Sequence, residues 1–294
     1  MKDIIVVTGG AGFVGSNLIK RLIEVTNKDI ISLDDYSSGS RKNHIKNKRI
    51  KYLAGSTKKI KVILNNNKNK IHSLFHFGEF SRIFQSFDNY EKCLDSNLTA
   101  SKEVFLFCLK NKIKLIYSAT SASLGNKGKD KNLSPYAFTK AKNLELLENL
   151  KKWFKFKFEI IYFYNVYGPN HINKGKNATI IGIFENQFLN NLPLTIVKPG
   201  TQTRRFTHID DTIDICITAW KKNKCGHYAI SNKKSYSIIS VAKMFKRKVK
   251  YLPERPGERF ASKLTKMNLS NNINLYFGRI KLKDYIDEFI SIKK

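Results

Sequence analysis

Tyr136-Ala137-Phe138-Thr139-Lys140 sets a phenol and an ammonium four residues apart, one turn along a helix and on one face. A free tyrosine ionises at about pH 10. A neighbouring ammonium favours the phenolate, which makes it a usable general base near neutrality. The spacing alone also suits an ordinary exposed helical pair, so partners decide its meaning. Thr120 stands at the carboxyl end of an expected strand over Lys114 to Ser118, where its hydroxyl can share a hydrogen bond with a reacting alcohol. Strand carboxyl ends line the ligand crevice of open α/β sheets.

The second chemical feature is a bare stretch of backbone. Thr8-Gly9-Gly10-Ala11-Gly12-Phe13-Val14-Gly15 follows an expected strand and opens an expected helix, and Gly10, Gly12 and Gly15 satisfy G-x-G-x-x-G. Such a loop gives a tight turn, close backbone approach to a pyrophosphate and tight helix–strand packing. The helix start adds amide hydrogens and a positive dipole end. Asp34 ends the next expected strand, 19 residues past Gly15, where a carboxylate accepts both hydroxyls of an adenosine ribose and repels a 2′-phosphate. The pattern predicts dinucleotide binding, with NAD favoured over NADP; Arg41 and Lys42 nearby are the residues that speak for NADP.

These residues need a scaffold. Ile4 to Val7 is a β-branched run suited to a strand buried on both faces. Phe13 to Val25 follows as a helix with Val14, Leu18, Leu22 and Val25 on one face. Further strands are expected at Ile30 to Leu33, Ile50 to Leu53, Ser73 to Phe77 and Phe158 to Tyr164, with helices at Glu91 to Lys110 and Tyr136 to Trp153. The alternation predicts an α/β protein of the Rossmann type, a doubly wound parallel sheet. After Gly168-Pro169 helical stretches near 179–189, 211–220, 238–246 and 283–292 alternate with short strands and turns. We expect a cofactor domain over 1–169 and a smaller C-terminal α/β domain, mainly for substrate, over 170–294, with segments free to interleave. Asn65 to Lys70 is expected as a surface loop.

The chain has 294 residues, 41% hydrophobic and 12% aromatic, which excludes wholesale disorder. No apolar run suffices to cross a bilayer, and no cleavable leader is expected before the glycine loop. Cys93, Cys108, Cys216 and Cys225 form neither a C-x-x-C pair nor a zinc spacing, so no metal site is expected and the thiols read as reduced, in a cytoplasmic protein. Lys+Arg 54 against Asp+Glu 23 leaves a net charge of +31. The lysines are scattered and accompanied by many Asn and Ile, residues that share AT-rich codons. No specific nucleic-acid partner is therefore expected, although the positive field favours an anionic small substrate.

Together these blocks resemble the extended short-chain dehydrogenase/reductases, specifically the NAD-dependent nucleotide-sugar epimerase/dehydratase family of UDP-glucose 4-epimerase type. The resemblance also takes in His76-Phe77-Gly78, Asn97, Ser118-Ala119-Thr120, Asn165-Val166-Tyr167-Gly168-Pro169, Thr203-Arg204-Arg205-Phe206 and Arg255-Pro256-Gly257-Glu258, nearly the whole chain. It implies NAD held by Gly9, Gly12, Phe13, Val14, Gly15, Asp34, Tyr136 and Lys140. Catalysis would fall to Tyr136 as base, Thr120 orienting the sugar hydroxyl, and Lys140 holding the nicotinamide ribose. Hydride would leave and return, so the cofactor behaves as a bound prosthetic group. The resemblance further implies nucleotide-sugar contacts from Asn165, Arg204 and Arg255, since a guanidinium fork suits a diphosphate. A homodimer through the two long helices is a family expectation.

The residues after Thr120 narrow the reaction. Dehydratases of this family look like Thr-Asp-Glu there; this chain has Thr120-Ser121-Ala122, which disfavours water elimination, and the decarboxylase glutamate is missing too. Epimerisation of a UDP-hexose at C4 is the first reading. An ADP-heptose 6-epimerase type, with Lys174 as the lysine beyond Asn-Val-Tyr-Gly-Pro, is the second, and a nucleotide-sugar reductase stands beside it. A non-catalytic relative that senses NAD or binds RNA is the alternative from another class; the retained Tyr136, Lys140 and Thr120 argue for activity. Ser56, Glu79, Phe80 and Leu124 depart from the family, Ser56 where an aspartate usually reaches adenine, Leu124 where tyrosine is usual, and Glu79 and Phe80 where small residues are common.

Overall fold

The computed structural model describes residues 3–123, 130–257 and 273–293. Strands β1 (Ile4–Thr8), β2 (Asp29–Asp34), β3 (Ile50–Ala54), β4 (Ile71–His76), β5 (Lys114–Thr120) and β6 (Phe158–Phe163) fall where the β-branched and aromatic runs predict. Short strands β7 (Val166–Tyr167), β8 (Leu194–Val197), β9 (Thr203–Arg204) and β10 (Thr207–His208) follow. After them come β11 (His227–Ser231), β12 (Tyr236–Ser237), β13 (Val249–Leu252) and β14 (Ile273–Phe277). The large sheet is parallel throughout, in the order β14-β11-β6-β5-β4-β1-β2-β3. The chain winds outward from β1 through β2 and β3, then crosses back and continues from β4. The reversal lies between β1 and β4, where Thr8 pairs with His76, and ligands bind at such a switch point.

Both faces are covered, as an all-parallel sheet requires. On one face α1 (Phe13–Val25) packs Leu18, Ile19 and Leu22 against Ile5, Val7 and Phe75, beside Ile213, Cys216 and Ala219 of α8 (Ile209–Lys222). On the other, Ile60 of α2 (Ile60–Ile63), Val104 and Phe105 of α5 (Ser101–Lys110) and Leu147 of α6 (Pro135–Phe154) meet Leu74, Leu115 and Ile160. Residues beyond 169 contribute α8 to the α1 face and β11 and β14 to the sheet. A separate core joins α7 (Ile180–Leu189), α9 (Ile238–Met244) and the C-terminal helix Leu282–Lys293 through Phe184, Phe188, Val241, Phe245 and Ile286.

Two expectations need correction. The segment Glu91 to Lys110 is not uniformly α-helical: α3 (Gln85–Asp88) and α4 (Tyr90–Leu94) lead into a π-helical stretch, Asp95–Ala100, before α5. The wider turn lets buried Asn97 accept from the amide of Phe80 at 2.7 Å and donate to its carbonyl at 3.0 Å, tertiary bonds that periodicity does not encode. Asn65–Lys70 lies on the surface as expected but winds into 3-10 turns, with the Asn67 amide donating to Leu64 O at 3.0 Å.

Candidate active site

A cavity of about 660 Å³ opens at the carboxyl ends of β1, β2, β4, β5 and β6, against the C-terminal layer. Gly9, Gly12, Phe13, Val14, Gly15, Asp34, Thr120, Tyr136, Lys140, Asn165, Arg204 and Arg255 all line it. Lys174 does not: it is exposed, on the loop before α7. Arg41 and Lys42 are also outside the lining.

The glycine loop is built for an approaching anion. Gly9 adopts φ +68, and a Cβ on Gly15 would meet the Gly9 carbonyl oxygen at 2.1 Å, so side chains are excluded by backbone. Gly12 caps α1 without a side-chain hydrogen bond and no acidic residue occupies the first turn, leaving the positive helix end to a ligand. Asp34 Oδ2 accepts from Ala11 N at 2.9 Å and Oδ1 from Tyr36 N at 2.8 Å. These two bonds fix the carboxylate at the cavity edge and leave further lone pairs for hydroxyls. Burial pushes its carboxyl above the usual range, with the two backbone bonds opposing. The residues present fit a dinucleotide: an open helix start, a side-chain-free cradle and an anchored carboxylate.

At the reacting end α6 begins with Pro135 after Ser134, whose hydroxyl accepts from Ala137 N at 3.1 Å and sets the helix start. That start brings Tyr136 and Lys140 to the cavity beside Thr120, the last residue of β5. Thr120 Oγ1 accepts from Ala122 N at 3.2 Å.

Lys140 is held by a residue without an assigned role at the level of sequence. Its ammonium forms a buried ion pair with Glu79 and donates to Ser118 O at 2.5 Å and Tyr117 OH at 3.3 Å. The other Glu79 oxygen accepts from Ser101 Oγ at 2.8 Å, Tyr117 OH at 3.0 Å and Asn143 Nδ2 at 3.1 Å. Because the Ser101 proton points to Glu79, Ser101 accepts from His76 Nε2 at 2.9 Å. Nδ1 of the neutral imidazole then accepts a hydrogen bond from the Thr8 hydroxyl at 2.7 Å. Burial lowers the His76 pKa to about 4, which keeps the ring neutral. The network ties β1, β4, α5 and α6 together beneath the cavity. The only sequence signal for it was an acidic residue where small ones are usual.

Elsewhere in the lining Asn165 donates to Arg205 O at 2.8 Å, Arg204 belongs to β9, and the Arg255 guanidinium lies 4.9 Å over the Phe84 ring. Phe80 lines the cavity with its backbone clamped by Asn97, and Ser56 lines the far end while capping a short turn through Lys58 N. Leu124 and Glu258 lie outside the described residues. Among the described residues there is no cluster of His, Cys, Asp and Glu suited to a metal, and no helix is long and apolar enough to cross a membrane.

Comparison with known proteins agrees with this arrangement. Residues 5–231 match the model of the NAD dependent epimerase/dehydratase family. An ADP-L-glycero-D-manno-heptose-6-epimerase of Brachyspira hyodysenteriae is 29% identical over 262 residues, 83% of this chain and 80% of that protein. The crystal structure of a UDP-glucose 4-epimerase from Thermotoga maritima, with UDP-glucose, superposes with a TM-score of 0.85 at 22% identity, covering 98% of this chain and 97% of its own. A Thermus thermophilus UDP-glucose 4-epimerase in complex with NAD gives 0.82 at 18% identity over 99% of this chain and 98% of its own.

Proposed function

Because the chain belongs to the NAD-dependent epimerase/dehydratase family, with NAD as its cofactor, we propose that it inverts a UDP-hexose at C4. The observation that carries this reading is the convergence of Thr120, Tyr136 and Lys140 in the cavity that also holds the glycine loop and Asp34. Bound NAD supplies a reversible hydride acceptor. Tyr136 takes the proton of the reacting hydroxyl, Thr120 orients that hydroxyl, and Lys140 places a cation at the base. Arg204, Arg255 and Asn165 hold the nucleotide diphosphate, the two guanidinium groups matching its oxygens. Ser121 and Ala122 supply no acid–base pair beside Thr120, which supports epimerisation over dehydration.

The heptose epimerase among the relatives favours a second reading, inversion at C6 of an ADP-heptose. The exposed position of Lys174 outside the cavity speaks against the role that reading gives it. Proton NMR of the enzyme with NAD and UDP-, ADP- and GDP-sugars, with Tyr136→Phe as control, separates the two. New anomeric signals from a UDP-hexose, lost in the variant, support C4 epimerisation; conversion of ADP-heptose alone replaces it with the second reading. We also propose that the long helices pair two copies, since Tyr90 and Phe138 are 52% and 37% exposed around a shallow apolar depression with Leu133. Light scattering that returns a monomer mass overturns the pairing.

A further inference from the structure

The cavity contains a cation that the proposed chemistry leaves unused. Arg82 lies between β4 and α3, half-buried in the cavity wall. Its guanidinium donates from Nε to Asn177 O at 2.9 Å, from Nη2 to the same carbonyl, and from Nη1 to Ser81 O at 3.2 Å. A guanidinium has five N–H groups, so two remain after these three bonds. The carboxylates around the cavity are engaged elsewhere: Glu79 by Lys140, Asp95 by Lys58, Asp34 by backbone amides, and Asp35 by Ser37 N. Among the described residues Arg82 pairs with no carboxylate. A charge withdrawn from water onto neutral carbonyls alone costs free energy that an anion can return. Burial accordingly draws the guanidinium below the usual arginine range, while the Tyr136 phenol acts in the other direction.

The place of Arg82 tells which part of a ligand it meets. Arg82 and Tyr136 line the same cavity, and Ser86 on the same segment accepts from the Tyr136 amide at 3.3 Å, so this segment abuts the reacting end. In the proposed function the diphosphate already has Arg204 and Arg255. We infer that Arg82 pairs with a carboxylate on the sugar itself, close to the carbon whose hydroxyl meets Tyr136, so that the substrate is a nucleotide-linked sugar acid. The inference rests on the nucleotide-sugar reading and deepens it. The planar fork suits a carboxylate, and its pairing with backbone carbonyls holds it in place before the ligand arrives.

The test measures kcat/KM by NMR on the full chain with NAD, using UDP-glucuronate and UDP-glucose, for wild type, Arg82→Gln and Arg82→Lys. The expected wild-type preference for the acid is about 30-fold or more, the range for a buried charge pair. Arg82→Gln should bring the ratio near one, and Arg82→Lys should retain part of it. UDP alone, as inhibitor, separates the two anions. If Arg82→Gln weakens UDP and slows both sugars equally, Arg82 serves the diphosphate or Tyr136 and the inference fails. If wild type converts UDP-glucose with no preference for the acid, the inference fails and the proposed function stands. If wild type binds NAD and converts neither sugar, both fail. NAD affinity reports folding of the variants; should Arg82→Gln lose it, the wild-type ratio and the Lys variant decide.

Discussion

Replacing Glu79 by alanine tests whether Lys140 depends on its buried counter-ion. Side-chain exposure is 5% for Lys140 and 2% for Glu79, so solvent screening is slight. Without the carboxylate the ammonium keeps only Ser118 O and Tyr117 OH, and Ser101, Tyr117 and Asn143 lose a shared acceptor. Removing one partner of a buried pair costs about 3–5 kcal/mol. We expect Glu79→Ala to lower the unfolding free energy by about 4 kcal/mol and Tm by about 8 °C at the roughly 2 °C per kcal/mol of a chain this size. Lys140→Met should cost less, about 2 kcal/mol, because Glu79 retains three neutral donors. The double variant should then fall about 3 kcal/mol short of the sum, which is the coupling of the pair. Urea unfolding gives these values. Trp220, whose indole donates to Ser73 Oγ at 3.0 Å against β4, serves as the fluorescent probe beside far-ultraviolet circular dichroism. Single costs that add within about 0.5 kcal/mol would refute the coupling, and a Glu79→Ala cost under about 1 kcal/mol would refute the burial argument itself.

Three further outcomes follow from the same geometry. Burial lowers His76 to about 4, so the unfolded chain binds more protons between its ordinary value and that point; stability is therefore full above about pH 6.5 and falls by about 3 kcal/mol as pH drops to 4. Between pH 7 and pH 5 urea unfolding should show about 2 kcal/mol of that loss from His76, with further loss from His208 and His227, which burial lowers too, and His76→Gln should flatten the slope. Gly15→Ala places a Cβ 2.1 Å from the Gly9 carbonyl oxygen, so the loop must move; NAD affinity should drop about tenfold or more by calorimetry, and an unchanged affinity would show that the loop is not the phosphate cradle. Asp34→Asn removes the charge that repels a 2′-phosphate while keeping its shape, so the NAD over NADP preference should shrink about tenfold; an unaltered ratio would place the ribose elsewhere.

What the sequence determined alone was local and stereochemical. β-Branched runs specified β1 to β6, a 3.6-residue period specified α1 and α6, and the glycine spacing required a turn that only bare backbone can make. Tyr136 and Lys140 were legible because their separation is a property of one helix. What the tertiary structure decided depends on residues far apart along the chain. Glu79 and Lys140 are 61 positions apart, and Arg82 meets Asn177 across 95. Such pairings depend on how the crossovers place one strand end beside another, which no window of sequence contains. The same holds for the π-turn that turns Asn97 toward Phe80, and for β11 and β14, which join the parallel sheet from the far end of the chain. Lys174 illustrates the converse: its position along the chain suited a role at the site, but the fold leaves its side chain exposed and outside the lining, while Ile172 and Asn177 on either side of it line the cavity. Local propensity sets where elements form, whereas the contents of the cavity depend on packing between elements, and there a buried charge must find its partner wherever the fold supplies one.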